Sequence, residues 1–306
     1  MIRKLTIAVF LLAVMAGGSH SSLQTYISAI LTSSISPYNQ ALDGFRSLVS
    51  EKKGNIVVIS DYNMEGREER EIISEIEREE GPDLIFTIGT RATRLARENI
   101  RNVPLVFSMV LNPEEFKGPY STGVSVDIPH REKLKKVKDI LPEVKRVGIV
   151  YSPQTLSHYE KISRAADELG LELVSREIES GRELSGALES IFWQSDIFFM
   201  IPDSEIYFQQ SIRHLIHESI RQNVPVIGLS SSYTRAGAFI SFDSVHRDIG
   251  IQAAELALEV LDGKSPEAIG VVEPRELRFS INLNTARRLG IDLNPGTIEE
   301  AEIYGN

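Results

Sequence analysis

The sequence contains no cysteine. That absence excludes disulfide bonds, thiolate metal sites and a lipid-modified cysteine behind an export signal. The sequence also has no excess of basic residues, because 33 Lys and Arg stand against 43 Asp and Glu, a formal net charge of −10. Since binding to a phosphate backbone needs clustered Lys and Arg, we do not expect nucleic acid as a partner.

The common catalytic signatures are missing as well. There is no Gly-x-Ser-x-Gly elbow, no phosphate-binding P-loop and no Gly-x-Gly-x-x-Gly motif. His214-x-x-His217 places two imidazoles on one helical face, but no third metal ligand stands at a suitable spacing. We therefore expect no metal, no cofactor and no enzymatic activity, and an exported α/β enzyme remains the less favoured alternative.

Long hydrophobic runs are absent except at the N-terminus. Arg3 and Lys4 precede an apolar run over residues 5–16 and then small residues, which is typical of a secretory signal. The run is short for a membrane span, although an uncleaved anchor stays an alternative. Residues 1–21 are therefore predicted to be a signal peptide, with the mature chain beginning near Ser19 in the periplasm.

The central pattern is a buried strand that leads into a helix. Leu84 to Ile88 carries no charge and lies between Gly81-Pro82 and Gly89, which predicts a strand buried on both faces. Helical spacing follows, and Thr90 stands at the expected N-cap position. The backbone N–H groups of a helix N-terminus suit a carboxylate or phosphate, and ligands bind at this edge of an open α/β sheet. The alternative is that Thr90 only caps its helix.

The second half of the chain repeats the landmarks of the first half. Ser36-Pro37 recurs as Ser152-Pro153, the strand that follows Asp83 recurs after Asp196, and Asn-Val-Pro occurs at both residue 102 and residue 223. Each half reads as β-α-β units, which predict a parallel sheet flanked by helices. The expected fold is α/β, with two similar Rossmann-like lobes and a ligand cleft between them.

The remaining segments exceed what one lobe needs to complete its sheet. We expect residues 22–126 and 235–265 to form lobe 1, and residues 127–234 and 266–306 to form lobe 2. Hinges are expected near residues 126–127 and 233–237. The alternation from Glu276 to Asn282 predicts an exposed strand.

From residue 26 to residue 293, the chain resembles the substrate-binding proteins of ABC transporters, in the branch that includes tryptophan- and tyrosine-binding members. The residues that carry the resemblance are Asp83-Leu-Ile-Phe-Thr-Ile-Gly-Thr90, Val103-Pro-Leu-Val-Phe107, Thr122-Gly-Val-Ser125, Leu141-Pro-Glu-Val-Lys-Arg-Val-Gly-Ile-Val-Tyr151, Gly237-Ala238 and Ile281-Asn-Leu-Asn-Thr-Ala-Arg-Arg-Leu-Gly290. The resemblance implies a type I periplasmic binding protein fold. The chain departs from the family pattern at Ser152 to Ser157, where an Asn-rich loop is usual, and at Asn112-Pro113, where many relatives have Asp-Pro.

With this fold, the ligand meets loops at the carboxyl ends of the strands. The predicted ligand-binding residues are Ser34, Tyr38, Gly89, Thr90, Met109, Tyr151, Gln154, Asp203, Ser230 and Asp243. These groups suit a zwitterionic amino acid or a similar molecule. Its carboxylate would lie on hydroxyl and N–H groups, its ammonium on Asp203 or Asp243, and its apolar part against Tyr38, Tyr151 or Phe242. The alternative for each Ser and Asp is turn and capping chemistry.

The resemblance implies a monomeric periplasmic protein that closes around a small ligand and delivers it to an ABC permease. A sensing module that presents its ligand-bound shape to a membrane receptor is the alternative. The ligand itself is left open by the sequence.

Overall fold

The computed structural model describes residues 24–78, 81–110 and 112–305. The predicted signal peptide, residues 1–21, lies outside these described residues. Within them, no helix combines the length and apolar character that crossing a bilayer requires.

The first part of the chain alternates strands and helices and ends at residue 125. Its elements are β1 (Thr25–Leu31), α1 (Ser36–Lys53), β2 (Val57–Asn63), α2 (Glu69–Arg78), β3 (Leu84–Ile88), α3 (Thr90–Asn99), β4 (Leu105–Val110) and β5 (Ser121–Ser125). Pro37 in the first turn of α1 fits the preference of proline for that position.

The second part repeats the alternation. Its elements are α4 (His130–Ile140), β6 (Arg146–Tyr151), α5 (Leu156–Glu168), β7 (Glu172–Glu177), α6 (Leu184–Gln194), β8 (Ile197–Phe199), α7 (Gln209–Arg221), β9 (Val226–Gly228), α8 (Ser231–Ala236) and β10 (Ile240–Ser244). The final part contains α9 (His246–Leu261), α10 (Pro266–Ile269), β11 (Val271–Val272), β12 (Leu277–Asn282), α11 (Leu283–Arg288), α12 (Pro295–Glu300) and β13 (Glu302–Tyr304).

The described strands form two sheets. The first sheet has six strands in the order β11-β5-β4-β3-β1-β2, and every pair in it is parallel. The second has seven strands in the order β13-β12-β10-β9-β8-β6-β7, in which only β10 and β12 are antiparallel. We refer to the lobe around the first sheet as lobe 1 and to the other as lobe 2. The α/β fold with two parallel-sheet lobes is confirmed.

The internal repeat extends to individual hydrogen bonds. Oδ2 of Asp83 accepts a 2.8 Å hydrogen bond from the backbone N–H of Tyr26, and Oδ2 of Asp196 accepts one of 2.8 Å from the N–H of Arg146. Asn102 and Asn223, which begin the two Asn-Val-Pro segments, both have left-handed backbones, with φ of 62° and 59°. Asn tolerates this conformation better than most residues, so both halves use it at the same turn.

Lobe 1 is organised around the packing of α1 against α9. Gly44 and Gly250 allow this close approach, because an added Cβ would lie 2.0 Å from the carbonyl oxygen of Arg247 and 1.9 Å from that of Ala41. The opposite face of the sheet is covered by α2 and α3. In lobe 2, α4 and α5 cover one face, whereas α6 and α7 cover the other.

Within the described residues, the chain crosses between the lobes three times: from β5 to α4, from β10 to α9, and from β11 to β12. The segment 235–265 was expected to lie wholly in lobe 1. Its helix α9 does pack in lobe 1, but its strand β10 belongs to the second sheet, in lobe 2. Conversely, β11 extends the first sheet although residues 266–306 were expected in lobe 2.

The strand β12 differs from the expected exposed strand. Phe279 to Asn282 is buried, because β12 lies between β10 and β13 and packs against the core of lobe 2. The alternation in the sequence indicated the strand correctly but did not reveal that a later segment covers its outer edge.

Candidate functional site

In lobe 1, the loops after β1 and β3 meet at one point. Gly89 follows β3 with φ of 93°, and its N–H donates a 2.9 Å hydrogen bond to the carbonyl of Ser108. A Cβ on Gly89 would lie 2.7 Å from Oγ1 of Thr32 and 2.8 Å from the hydroxyl oxygen of Tyr38. The structure therefore brings Gly89 and Tyr38 together, and glycine is required by both backbone conformation and space.

Thr90 does not occupy the N-cap position that the sequence predicted. Gly89 holds that position, and Thr90 is the first residue of α3. The side chain that serves the helix end is Thr32, whose Oγ1 accepts a 3.1 Å hydrogen bond from the N–H of Ala92. The first-turn N–H groups of Thr90 and Arg91 have no acceptor within the helix, so they are available to an anion. The sequence places Thr32 in a loop expected to meet the ligand, but its bond to the start of α3 was missed, because Ala92 is distant in the chain.

Ser34 and Met109 are both held by their surroundings. The N–H of Ser34 donates a 2.9 Å hydrogen bond to the Glu65 carboxylate, and its hydroxyl accepts from the side chain of Asn63. Met109 has φ of 57° and lies where the pairing of β4 with β5 shifts register. Its side chain packs in the core of lobe 1, with 6% of its surface exposed. Ser34 thus lies in a loop tied to the end of β2, and Met109 shapes the end of β4.

Asp203, in lobe 2, is a buried carboxylate with protein donors on both oxygens. Oδ1 accepts from the N–H groups of Glu205 and Ile206, at 3.0 and 3.1 Å. Oδ2 accepts from the Ser152 hydroxyl at 2.6 Å and lies 3.0 Å from the hydroxyl oxygen of Thr155. The carboxylate therefore joins the turn after β8 to the loop after β6, which favours the capping alternative that the sequence left open.

Tyr151 and Gln154 differ in their environments. The Tyr151 ring stacks on Tyr159 of α5, with centroids 4.5 Å apart and an interplanar angle of 18°. Burial, together with nearby Glu177, raises the pKa of Tyr151. Gln154 is exposed in the short turn before α5. The sequence analysis did not single out Tyr159. The one feature of the sequence that could have indicated it is its position, as an aromatic residue in the first turn of the helix that follows β6.

Ser230 and Asp243 lie at the N-terminus of α8. Ser230 immediately precedes the helix, and Oδ2 of Asp243 accepts a 2.9 Å hydrogen bond from the N–H of Ser231. Burial raises the pKa of Asp243, whereas its hydrogen bond to Ser231 and the proximity of His246 act in the opposite direction. Lys133 of α4 faces both Asp243 and Asp127, and burial lowers its pKa.

Phe242 is not available to a ligand. Its side chain is buried in the core of lobe 2, with its ring centroid 6.5 Å from that of Phe279. Neighbouring side chains on a strand point to opposite faces of the sheet. Phe242 therefore points into the core, whereas Asp243 points to the other face and is only partly buried. The expectation that Phe242 contacts ligand is therefore wrong.

A cavity of about 560 Å³ lies beside the first crossing between the lobes, and none of the predicted ligand-binding residues lines it. It contains His130 and His158, whose Nε2 and Nδ1 atoms are 3.3 Å apart. Burial, with further contributions from Lys133, His158 and Lys161, lowers the pKa of His130 to about 3. The pair is therefore neutral at pH 7, and the adjacent cations disfavour a metal ion there.

The other histidine pair makes separate polar contacts. Nε2 of His214 lies 3.1 Å from the hydroxyl oxygen of Ser185, and Nδ1 of His217 lies 3.2 Å from Glu218. Within the described ranges, no group of three or more His, Cys, Asp and Glu side chains is arranged to hold a metal ion.

The fold has two lobes, each with a set of loops at the carboxyl ends of its parallel strands. The family model described as ABC transporter substrate binding protein matches residues 38–302, so the chain belongs to that family. The family consists of substrate-binding proteins rather than enzymes.

Three similar proteins illustrate the relationship. A tyrosine-binding protein of Clostridioides difficile is 25% identical over 219 residues, which cover 68% of this chain and 63% of that protein's own length. The ligand-free, open structure of a substrate-binding protein with adhesive properties from Clostridium difficile aligns with a TM-score of 0.75 at 17% identity, over 92% of this chain and 99% of that one. An ABC domain in complex with L-Trp from Streptococcus pneumonia aligns with a TM-score of 0.59 at 20% identity, over 92% and 100%. At these identities, the two structures show the shared fold.

Proposed function

We propose that the protein binds a zwitterionic amino acid, or a similar small molecule, in the cleft between its lobes and delivers it to an ABC permease. The observation that carries this proposal is the junction of Gly89, Thr32 and Tyr38 at the start of α3. It leaves the N–H groups of Thr90 and Arg91 free at a helix N-terminus, where the helix dipole favours a carboxylate.

The lobe 1 side of the site would hold the ligand carboxylate. The Tyr38 hydroxyl stands next to Gly89, and the loop that carries Ser34 is tied down by Glu65 and Asn63. A rigid loop with hydroxyl and N–H donors binds an anion without a large loss of conformational entropy. We therefore keep Ser34, Tyr38, Gly89 and Thr90 as the proposed carboxylate side, with Met109 shaping the wall beside them.

The lobe 2 side would hold the ammonium group. Asp203 already accepts hydrogen bonds on both oxygens, so its proposed contribution is to hold Ser152 to Thr155 in place. Asp243 is half-buried and accepts a hydrogen bond from Ser231, so it keeps more acceptor capacity for a cation. We place the ligand ammonium nearest Asp243, with Ser230, Gln154 and Tyr151 completing this side.

The names of the relatives support an amino-acid ligand. One relative is called a tyrosine-binding protein, and one structural neighbour was solved with L-Trp. The stacked rings of Tyr151 and Tyr159 offer an aromatic surface on the same side of lobe 2. An amino acid with an apolar or aromatic side chain is therefore the proposed ligand, and no cofactor is needed to bind it.

The family supports the proposed partner, because a substrate-binding protein of an ABC transporter works with a permease. The predicted export signal supports a periplasmic location, and we propose that the protein acts there as a monomer. A membrane sensor as the receiving protein is the alternative, because both receivers recognise the closed, ligand-bound shape.

Identification of the bound molecule tests the proposal. The mature protein should be purified without denaturation, its small molecules extracted for mass spectrometry, and the stripped protein titrated calorimetrically with L-tyrosine, L-tryptophan, L-alanine and ribose. We expect an amino acid in the extract and binding of L-tyrosine or L-tryptophan. Binding of ribose alone, or of none of the amino acids, would contradict the amino-acid proposal.

A further inference from the structure

The third crossing between the lobes is fixed by one arginine. Arg275 lies between β11, in the first sheet, and β12, in the second. Its Nε lies 3.1 Å from each carboxylate oxygen of Asp248, and its Nη2 donates to Oδ1 of Asp248 at 2.7 Å. Its Nη1 lies 3.0 Å from each carboxylate oxygen of Glu255. One guanidinium therefore bridges two carboxylates through charge-assisted hydrogen bonds, which are stronger than bonds between neutral groups.

Both carboxylates belong to lobe 1. Asp248 and Glu255 are on α9, the helix that packs against α1. The Asp248 side chain is only 8% exposed and also accepts a 3.1 Å hydrogen bond from Gln252. Partial burial weakens solvent screening, so this ion pair contributes more than an exposed one. Arg275 is thus attached to lobe 1, and Glu276 alone separates it from β12 of lobe 2.

The other two crossings are also short. Only Val245 separates β10 from α9, and residues 126–129 separate β5 from α4. The hydroxyl of Ser244 donates a 2.6 Å hydrogen bond to the carbonyl of Val126, which ties these two crossings together. Changes in backbone dihedral angles that would move one lobe relative to the other are therefore limited to Asp127–Pro129, Val245 and Glu276.

We propose that Arg275 is a positioning residue for ligand binding: its bridge to Asp248 and Glu255 restricts the hinge to these three short segments and thereby limits the orientations that the lobes sample. A hinge that absorbs the closing motion in a few residues keeps the two halves of the site in register. Without the bridge, residues 273–275 are released from α9 and the hinge segment at Glu276 lengthens to residues 273–276. In the open state the two lobes then sample additional relative orientations that do not lead to closure. The proposal deepens the proposed function, since it concerns closure of the same site, but its main test needs no ligand.

The absence of cysteine makes the test direct. Cysteines introduced at the exposed positions Glu98 of lobe 1 and Glu160 of lobe 2 can carry spin labels without background labelling. Pulsed electron–electron double resonance then gives the distribution of distances between the two labels, and so between the lobes, in the ligand-free protein. We expect Arg275→Ala to broaden this distribution, and Arg275→Lys to broaden it less, because Lys retains the charge but cannot bridge two carboxylates.

Amide hydrogen exchange gives a second measurement on the same variants. Loss of the bridge to Asp248 predicts exchange about tenfold faster, or more, in residues 249–252 of Arg275→Ala, which begin the hydrogen-bonded part of α9 with the bond from the Ile249 N–H to the Val245 carbonyl. Arg221→Ala is the matched control, because the Arg221 guanidinium is similarly bonded to Glu218, but within α7. It should leave both measurements unchanged.

Two results would overturn the proposal. A distance distribution of Arg275→Ala that matches the parent, with only a lowered melting temperature, would make Arg275 a stabilising residue alone. Broadening of equal size in Arg221→Ala would assign the effect to general loss of stability. Since both measurements use ligand-free protein, a wrong ligand class would leave them unaffected.

Discussion

The hydroxyl of Ser152 donates a 2.6 Å hydrogen bond to Oδ2 of Asp203, so the loops that follow β6 and β8 are joined at the edge of lobe 2. Both residues are buried, with Ser152 fully inaccessible and Asp203 8% exposed. A carboxylate at this position can hold two loops in place, contact a ligand cation, or do both. The geometry favours the first role, and mutation separates the two.

The first prediction concerns Asp203. Asp203→Ala should lower the free energy of unfolding by about 2 kcal/mol, because the Ser152 hydroxyl and two backbone N–H groups lose their acceptor. Asp203→Asn should cost less, since its side-chain carbonyl still accepts a hydrogen bond. Chemical denaturation measures these differences. If instead Asp203→Asn binds ligand ten- to a hundredfold more weakly at unchanged stability, the carboxylate contacts the ligand cation.

The second prediction concerns Gly89. Gly89→Ala should destabilise the protein and weaken ligand binding, because the new Cβ would meet Thr32 and Tyr38 at 2.7 and 2.8 Å. Gly263→Ala is the matched control: Gly263 has φ of 99°, but an added Cβ has open space around it. Both variants incur a similar backbone strain of about 1–3 kcal/mol, so any excess in Gly89→Ala measures the steric contact. Equal effects in thermal melts and titrations would show that the junction is not tightly packed.

The third prediction concerns pH. Burial lowers the pKa of His130 in the folded protein to about 3 from its ordinary value of about 6.5, so between these values the unfolded state binds more protons. Stability should therefore fall as pH decreases below about 6.5, by up to about 1.4 kcal/mol per pH unit for one group. His130→Gln should flatten this dependence between pH 6.5 and 5, above the ordinary pKa values of Asp and Glu. Burial also lowers the pKa of His158, so His158→Gln should flatten it in the same direction. A denaturation series with identical slopes in all three proteins would contradict this assignment.

The fourth prediction concerns the motion itself. The three short crossings leave the lobes free to approach each other, so ligand binding should reduce the radius of gyration measured by small-angle X-ray scattering. The titrant is L-tyrosine, or the molecule recovered by mass spectrometry. An unchanged radius of gyration at saturation, confirmed by calorimetry on the same sample, would show that the protein binds without closing.

The local sequence determined the elements and their repetition. The uncharged run from Leu84 to Ile88 is a strand buried along its length, and Ser36-Pro37 begins a helix. Asn102 and Asn223 mark equivalent turns because short-range sterics permit few residues with positive φ. These features depend on neighbours close in sequence, so periodicity and turn chemistry suffice to predict them, and the order of the elements then implies two parallel-sheet lobes.

Tertiary structure alone decided what surrounds each side chain at the site. Thr32 serves the helix end that Thr90 was expected to cap, and Asp203 engages Ser152, a residue distant in the chain. The position of β10 in the second sheet and the burial of Phe242 likewise depend on which strands become neighbours. Such contacts join segments that are far apart in sequence, and local pattern carries no information about their distance. The sequence could therefore predict the edge of each sheet at which we propose that a ligand binds, but only the folded chain determines which donors there lack a partner within the protein.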